Sequence, residues 1–188
     1  MAQIRINNKL ITYSVTRRPV KHPRLEMKSG NLVVVAPERM MDVEPLLKKY
    51  SGWIGKKHSE ISAAIDRGKS LKLARRDFAG FKAMVERFIR HYSKQIGLEP
   101  ANVFYKDMRS KWASCSGRGN ISVNKRMAML PEHLISYIIC HEMTHLVVKN
   151  HGKDFYKALG QWSMDYKNAE KELMEYWFAI RGMNGRNS

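Results

Sequence analysis

Residues 134–151, LISYIICHEMTHLVVKNH, are the stretch of sequence that decides both the fold and the chemistry of this chain. Most of its side chains are apolar, and Pro131 just before it is a residue that favours the first turn of a helix. We therefore predict a strongly apolar helix from Pro131 to about Lys149. His141 and His145 are four residues apart, so this helix places their imidazoles one turn apart on the same face.

A third histidine completes a set of metal ligands. His151 lies six residues after His145, and Asn150–Gly152 predicts a turn that brings the chain back toward the helix. A catalytic zinc needs three protein ligands and one open position, and His141, His145 and His151 supply the three. Glu142 lies about 100° round the helix from His141, so it is badly placed as a ligand but can reach a water on the metal.

This spacing favours a zinc site over a helix whose histidines only satisfy hydrogen bonds. Burying two imidazoles and a carboxylate among apolar neighbours is costly unless each finds a partner. Zinc lowers the pKa of a bound water to about 7, and Glu142 can accept its proton as the hydroxide attacks a carbonyl carbon. We therefore predict a zinc-dependent metallopeptidase in which Glu142 is the general base and returns the proton to the leaving nitrogen.

Outside this stretch the chain reads as strands and helices that do not alternate regularly. Short strands are predicted within residues 1–36, and apolar residues at helical spacing predict one helix over 43–65 and another over 77–96. Residues 112–124 read as a hairpin closed around a Gly-Arg-Gly turn. The order strands, helices, strands, helices indicates an α+β fold.

Two lobes are expected in a chain of 188 residues. Residues 1–76 form a basic, β-rich and helical N-terminal lobe, and residues 77–188 form the catalytic domain; one continuous domain is the alternative. Asp77 is a good N-cap for the helix that opens the second lobe, and Gly97 is expected to end that helix.

Several separate landmarks resemble the YgjP-like metallopeptidase family, which is related to the WLM and SprT-like zinc peptidases. They are Arg109–Ser116, Gly119–Asn124, Leu130-Pro131, the His-Glu-x-x-His motif with Leu146, Asn150-His151, Phe155 and Asp165–Lys167. The resemblance implies a zincin-like domain, with a small antiparallel sheet packed on an active-site helix and the three histidines as zinc ligands. Ala113 stands where the family usually has glycine, and Met143-Thr144 replaces the commoner Leu-Ala.

Four further side chains are candidates for contact with the substrate or its oxyanion. Tyr166 and Arg109 could act as a second electrophile, although a packed tyrosine and a surface arginine are the simpler interpretations. The strand Trp112–Ser116 is expected at the sheet edge beside the metal, where an extended peptide could pair with it. Trp112 fits a core position better than a substrate platform, and a proline at Ser114 is expected to remove a donor from this edge.

The charge of the chain points to a polyanionic partner. Lys and Arg number 34 against 17 acidic residues, a formal charge of +17, which suits a nucleic acid as well as a solvated surface. The cations that could contact it are Arg17, Arg18, Lys21, Arg24, Lys28, Arg67, Lys69, Lys72, Arg75 and Arg76. No apolar run is long enough for a membrane span and no secretion signal is recognised, so we expect a cytoplasmic protein.

Two other functions remain open at this point. A metal-dependent nucleotide phosphohydrolase, such as a pyrophosphatase, could use the same metal site, because a metal hydroxide attacks phosphorus as well as carbon. The sequence holds no phosphate-binding Gly-x-x-x-x-Gly-Lys-Ser/Thr loop. A nucleic-acid-binding module with structural zinc is the third reading, although Glu142 and a set of only three ligands favour catalysis.

Overall fold

The computed structural model describes residues 2–28, 31–163 and 165–184, and it is a mixed α+β structure, as predicted. The chain divides into two compact units, Met1–Lys69 and Ser70–Ser188. Each unit has its own cluster of buried apolar side chains. That the units are independent domains stays a prediction. No helix in the described part of the chain is both long and apolar enough to cross a bilayer.

The first unit is a four-stranded sheet followed by two helices. Its elements are β1 Ala2–Ile6, β2 Lys9–Arg17, β3 Arg24–Lys28, β4 Asn31–Ala36, α1 Glu44–Lys49 and α2 Ser51–Gly68. The strand order is β1-β2-β4-β3, with β2 parallel to β4 and the other pairs antiparallel. Asn7 and Asn8 both have positive φ, of 49° and 60°, a backbone that asparagine tolerates in a tight hairpin turn.

The prediction of one continuous helix over 43–65 was wrong, because the helix is interrupted at Tyr50. The backbone of Tyr50 leaves the helical region, with φ −104° and ψ 17°, and separates α1 from α2. Ser51 and Gly52 follow directly, and both residue types have low helix propensity. The apolar spacing continues through the break, so periodicity alone did not reveal it.

The second unit begins with a long helix and continues with a small sheet and three further helices. Its elements are α3 Phe78–Ile96, β5 Asn102–Lys106, β6 Ala113–Cys115, β7 Asn120–Asn124, α4 Glu132–Val147, α5 Lys153–Trp162 and α6 Tyr166–Asn184. The Asp77 carboxylate accepts the backbone N–H of Gly80 at 2.7 Å, and Gly97 ends α3 in the left-handed region with φ 77°. Both predicted ends of this helix are therefore confirmed.

The sheet of the second unit has the order β5-β7-β6 and is mixed, whereas an antiparallel sheet was expected. β6 and β7 are an antiparallel hairpin, but β5 runs parallel to β7. The chain reverses once between β5 and β6 and again between β6 and β7, and β7 then inserts between the two earlier strands. As a result β5 and β6 are the two edge strands, and β6 is the edge strand that contacts α4.

Helix α4 is the centre of the second unit. It contacts β6, α3, α5 and α6, and side chains all round it are buried, as expected for a helix enclosed by other elements. Leu134, Ile135, Ile139 and Met143 are completely buried. This apolar surround fixes the helix rigidly, so the few polar side chains near its C-terminal end are held in fixed positions beside β6.

Candidate metal centre

Three imidazoles converge near the C-terminal end of α4. The Nε2 atom of His151 lies 2.9 Å from Nε2 of His141 and 3.1 Å from Nε2 of His145. His141 and His145 share a face of α4, and His151 comes from the turn between α4 and α5, where the Gly152 N–H donates to the Asn150 carbonyl at 2.8 Å. The structure thus brings together the three predicted ligands in one cluster.

The ring nitrogens away from the cluster have partners that fix the tautomers. Nδ1 of His145 lies 3.0 Å from the Val148 carbonyl oxygen, which can only accept, so this nitrogen carries the proton. Nδ1 of His141 lies 3.5 Å from the Tyr137 hydroxyl, whose own proton goes to Glu170. In both rings Nε2 is therefore left with a bare lone pair that faces the cluster.

These lone pairs fit a divalent transition metal. Burial and the two neighbouring imidazoles lower the pKa of His141 to about 4, and burial lowers the pKa of His145, so both rings are neutral at pH 7. Phe155, which is completely buried, packs against all three rings with centroids 4.6–4.9 Å away. Three neutral imidazoles whose lone pairs face one another are a set of ligands that could hold a metal ion, and imidazole suits zinc better than calcium or magnesium.

Glu142 lies beside the cluster as a nearly buried carboxyl group. Its side chain is only 7% exposed. Burial raises the pKa of Glu142 to about 7, while a hydrogen bond from the Cys115 backbone N–H and the positive charge of Lys111 act in the opposite direction. A group with this pKa can take up and release a proton near neutral pH.

An open cleft of about 460 Å³ contains the cluster and Glu142. Its wall includes the edge strand and the turn after it, from Ala113 to Gly117. Lys111 and Lys149 also line it, so Glu142 is the one carboxyl group among its described lining residues. The two lysines outnumber the one carboxyl group in the lining of the cleft.

Only one of the four predicted substrate contacts lines this cleft. Ser114 is in the wall, whereas Trp112 packs edge-on against Trp177, with ring centroids 4.9 Å apart. Tyr166 stacks against Tyr156 at 5.5 Å. The Arg109 carbonyl accepts a hydrogen bond from Arg181 at 3.2 Å, and its side chain is not among the described lining residues.

Sequence reasoning did not single out Lys111, Gly117 and Lys149, which also line the cleft. Lys111 lies within a family landmark and Lys149 directly precedes another, so the two lysines could have been noticed by their position. Nothing in the sequence indicates that the backbone of Cys115 contacts Glu142, since that contact depends on how the edge strand packs on α4.

The backbone of the edge strand alternates between its partner strand and the cleft. The Ser116 N–H donates to the Asn120 carbonyl at 2.9 Å, and the Asn124 N–H donates to the Trp112 carbonyl at 2.8 Å. In an antiparallel pair the hydrogen-bonded residues alternate, so Ser114 also faces β7. The N–H and C=O groups of Ala113 and Cys115 point the other way, and the Cys115 N–H reaches Glu142.

This alternation corrects the expectation for a proline at Ser114. Such a proline would break a hydrogen bond between β6 and β7, because the Ser114 N–H faces Ser122. The donor that a peptide could use is the N–H of Ala113.

Several of the cations that could contact nucleic acid are engaged within the chain. The guanidinium groups of Arg17 and Arg76 bind backbone carbonyls. Arg24 and Lys69 each pair with a nearby acidic side chain at 2.7 Å. Contact with nucleic acid stays a prediction.

A family model and solved structures resemble parts of this chain. The YgjP-like metallopeptidase domain model matches residues 72–176. The search of solved structures finds the zymogen of the Pyrococcus abyssi metallopeptidase abylysin, at 23% identity over 48% of this chain and 91% of that chain, with a TM-score of 0.44. It also finds the zymogen of Methanocaldococcus jannaschii jannalysin, at 29% identity over 47% and 84%, with a TM-score of 0.42.

The search of curated proteins finds no significant match. The family match, however, covers more than half of the chain and includes α4, β6 and all three histidines. The resemblance read from the sequence is thereby confirmed, and the chain belongs to the YgjP-like metallopeptidase family.

Proposed function

We propose that this chain is a zinc-dependent peptidase that hydrolyses peptide bonds with Glu142 as its general base. The observation that carries the proposal is the convergence of three imidazole Nε2 atoms beside a buried carboxyl group in an open cleft. Three nitrogen ligands leave a zinc ion one open position, which is typical of catalytic and not of structural zinc.

Each group in the cleft has a role in this reaction. Zinc, when bound by His141, His145 and His151, supplies a Lewis acid that makes a water more acidic and polarises a carbonyl group. Glu142 accepts the proton of the attacking water and donates it to the leaving nitrogen, and its pKa of about 7 suits both steps. The Cys115 N–H holds the carboxyl group of Glu142 in place.

The edge strand favours a peptide as substrate. The N–H and C=O of Ala113 and the C=O of Cys115, which the ladder to β7 does not use, could pair with an extended chain in the way that a sheet accepts another strand. A nucleotide cannot pair with these backbone groups as a strand does, although Lys111 and Lys149 could bind its phosphates. Phosphoanhydride hydrolysis is therefore the competing proposal.

Parallel assays distinguish peptide-bond hydrolysis from phosphoanhydride hydrolysis. The zinc-loaded protein is incubated with an unfolded casein-like protein and with a panel of nucleoside di- and triphosphates. Cleavage of the protein without release of phosphate is the expected result. Release of phosphate without cleavage would instead support a nucleotide hydrolase.

Ala113→Pro tests the pairing between substrate and strand. Proline removes the N–H that faces the cleft and leaves the ladder to β7 intact, as edge strands tolerate. Losing one hydrogen bond of about 1.4 kcal/mol corresponds to a roughly tenfold lower kcat/KM for a peptide, with zinc content unchanged. Ser114→Ala is the matched control, because it changes a neighbouring side chain and no backbone group. Equal kinetics for the two variants would remove Ala113 from substrate binding.

A further inference from the structure

His141 is connected to α6 through the side chains of Tyr137 and Glu170. We propose that Tyr137 and Glu170 are positioning residues, forming a hydrogen-bond chain that orients the His141 imidazole for the metal. This inference rests on the proposed metal site and concerns metal binding, not the bond that is cleaved.

The two hydrogen bonds of Tyr137 have a defined donor and acceptor each. The Tyr137 hydroxyl lies 3.1 Å from Oε1 of Glu170 and 3.5 Å from Nδ1 of His141. A carboxylate can only accept, so the phenol donates its one proton to Glu170. The phenol oxygen is then left as the acceptor for the Nδ1–H of His141, and this ring presents the lone pair of Nε2 to the metal.

The Tyr137 hydroxyl is enclosed by the protein. Tyr137 is only 5% exposed, so its hydroxyl is held between Glu170 and His141. Glu170 itself is exposed on α6 and reaches inward with one oxygen. A hydrogen bond to a charged acceptor is stronger than one to a neutral acceptor. The bond from the phenol to Glu170 therefore makes the phenol oxygen a better acceptor for the Nδ1–H of His141.

The Nδ1–H groups of His141 and His145 have different kinds of acceptor. The Nδ1–H of His145 is held by a backbone carbonyl, that of Val148, which no substitution of a side chain removes. His141 has no backbone acceptor in the described structure, so its orientation depends on Tyr137. The position of Tyr137, one turn before His141 on α4, is what places the two side chains next to each other.

The test measures zinc affinity by competition with a chromophoric chelator. Tyr137→Phe keeps the ring and removes the acceptor, and we expect zinc affinity to fall ten- to a hundredfold. The matched control is Tyr92→Phe. Tyr92 is also nearly buried, and its hydroxyl lies 2.8 Å from the Ser136 hydroxyl, so the control loses a buried hydrogen bond of the same kind without touching a ligand. Its zinc affinity should match the wild type.

A second pair of variants changes side chains of α6 outside the apolar core. Glu170→Ala removes the exposed carboxylate that accepts the Tyr137 hydrogen bond. We expect a severalfold loss of zinc affinity. Glu172→Ala is its control, because Glu172 lies on the same helix and pairs with His133, 2.9 Å away, outside the cluster. Cobalt-loaded protein gives an independent readout: its visible absorption should shift in the Tyr137 and Glu170 variants and stay unchanged in the two controls.

Zinc affinities within twofold of the wild type in both Tyr137→Phe and Glu170→Ala would overturn the proposal. His141→Ala separates that result from a failure of the metal site itself. If His141→Ala loses zinc while the other two variants keep it, only the positioning chain is wrong. If His141→Ala also keeps zinc, His141 is not a ligand and the proposed site fails with it.

Discussion

Glu142→Gln is expected to lower kcat for peptide cleavage by about a thousandfold, within the range that positioned acid–base groups contribute. The amide has nearly the same shape as the carboxyl group and can still accept the hydrogen bond from the Cys115 N–H. It cannot take the proton of the attacking water, so the chemical step fails while the cleft keeps its form. Initial rates on a fluorogenic peptide, together with zinc content, measure both properties.

A matched control for this variant lies on the same helix. Glu132→Gln makes the same chemical change at the exposed start of α4, where Glu132 pairs with Arg87, and it should leave kcat unchanged. Activity of Glu142→Gln within threefold of the wild type would exclude Glu142 as the general base. A structural-zinc protein would have no activity to lose in either variant.

His151→Ala is expected to lose bound zinc almost completely on dialysis, since two imidazoles on one helix face cannot replace three ligands. The same result is expected for His141→Ala and His145→Ala. Metal content by atomic absorption checks it. His133→Ala is the control, because His133 is an exposed histidine on α4 outside the cluster and should retain the metal.

Retention of zinc by His151→Ala at wild-type affinity would require another third ligand. Glu170 and Glu172, two acidic residues of α6, are engaged elsewhere, with Tyr137 and His133 respectively. Neither belongs to the described group of side chains that could hold one metal ion. Such a result would therefore also contradict the geometry of the cluster.

Features that depend on neighbouring residues could be predicted from the sequence. The spacing of His141 and His145 fixes their common face, and Asp77 and Gly97 mark the ends of α3 through local capping. The turn that brings back His151 follows from the residues around it. In each case the physical cause lies within a few residues of the feature.

Features that depend on distant parts of the chain could not be predicted. The parallel pairing of β5 with β7 is decided by which strand inserts between two others. The register between β6 and β7 decides which residues of β6 hydrogen-bond to β7, and it turns the backbone of Ser114 toward β7. Glu170 reaches Tyr137 only because α6 packs against α4, and 33 residues separate the two in sequence.

The short strand β6 has two roles in the proposed reaction: its Cys115 N–H donates to the Glu142 carboxyl group, and its edge is where a substrate would lie. If a substrate pairs with the backbone groups of Ala113 and Cys115, the site would select an extended chain over a folded one and would discriminate little among side chains. A stable globular protein presents few segments that can straighten and enter the cleft without local unfolding. How readily a protein is cut would then follow the free energy of opening its own segments. Damaged or incompletely folded proteins would be degraded first, whatever their sequence.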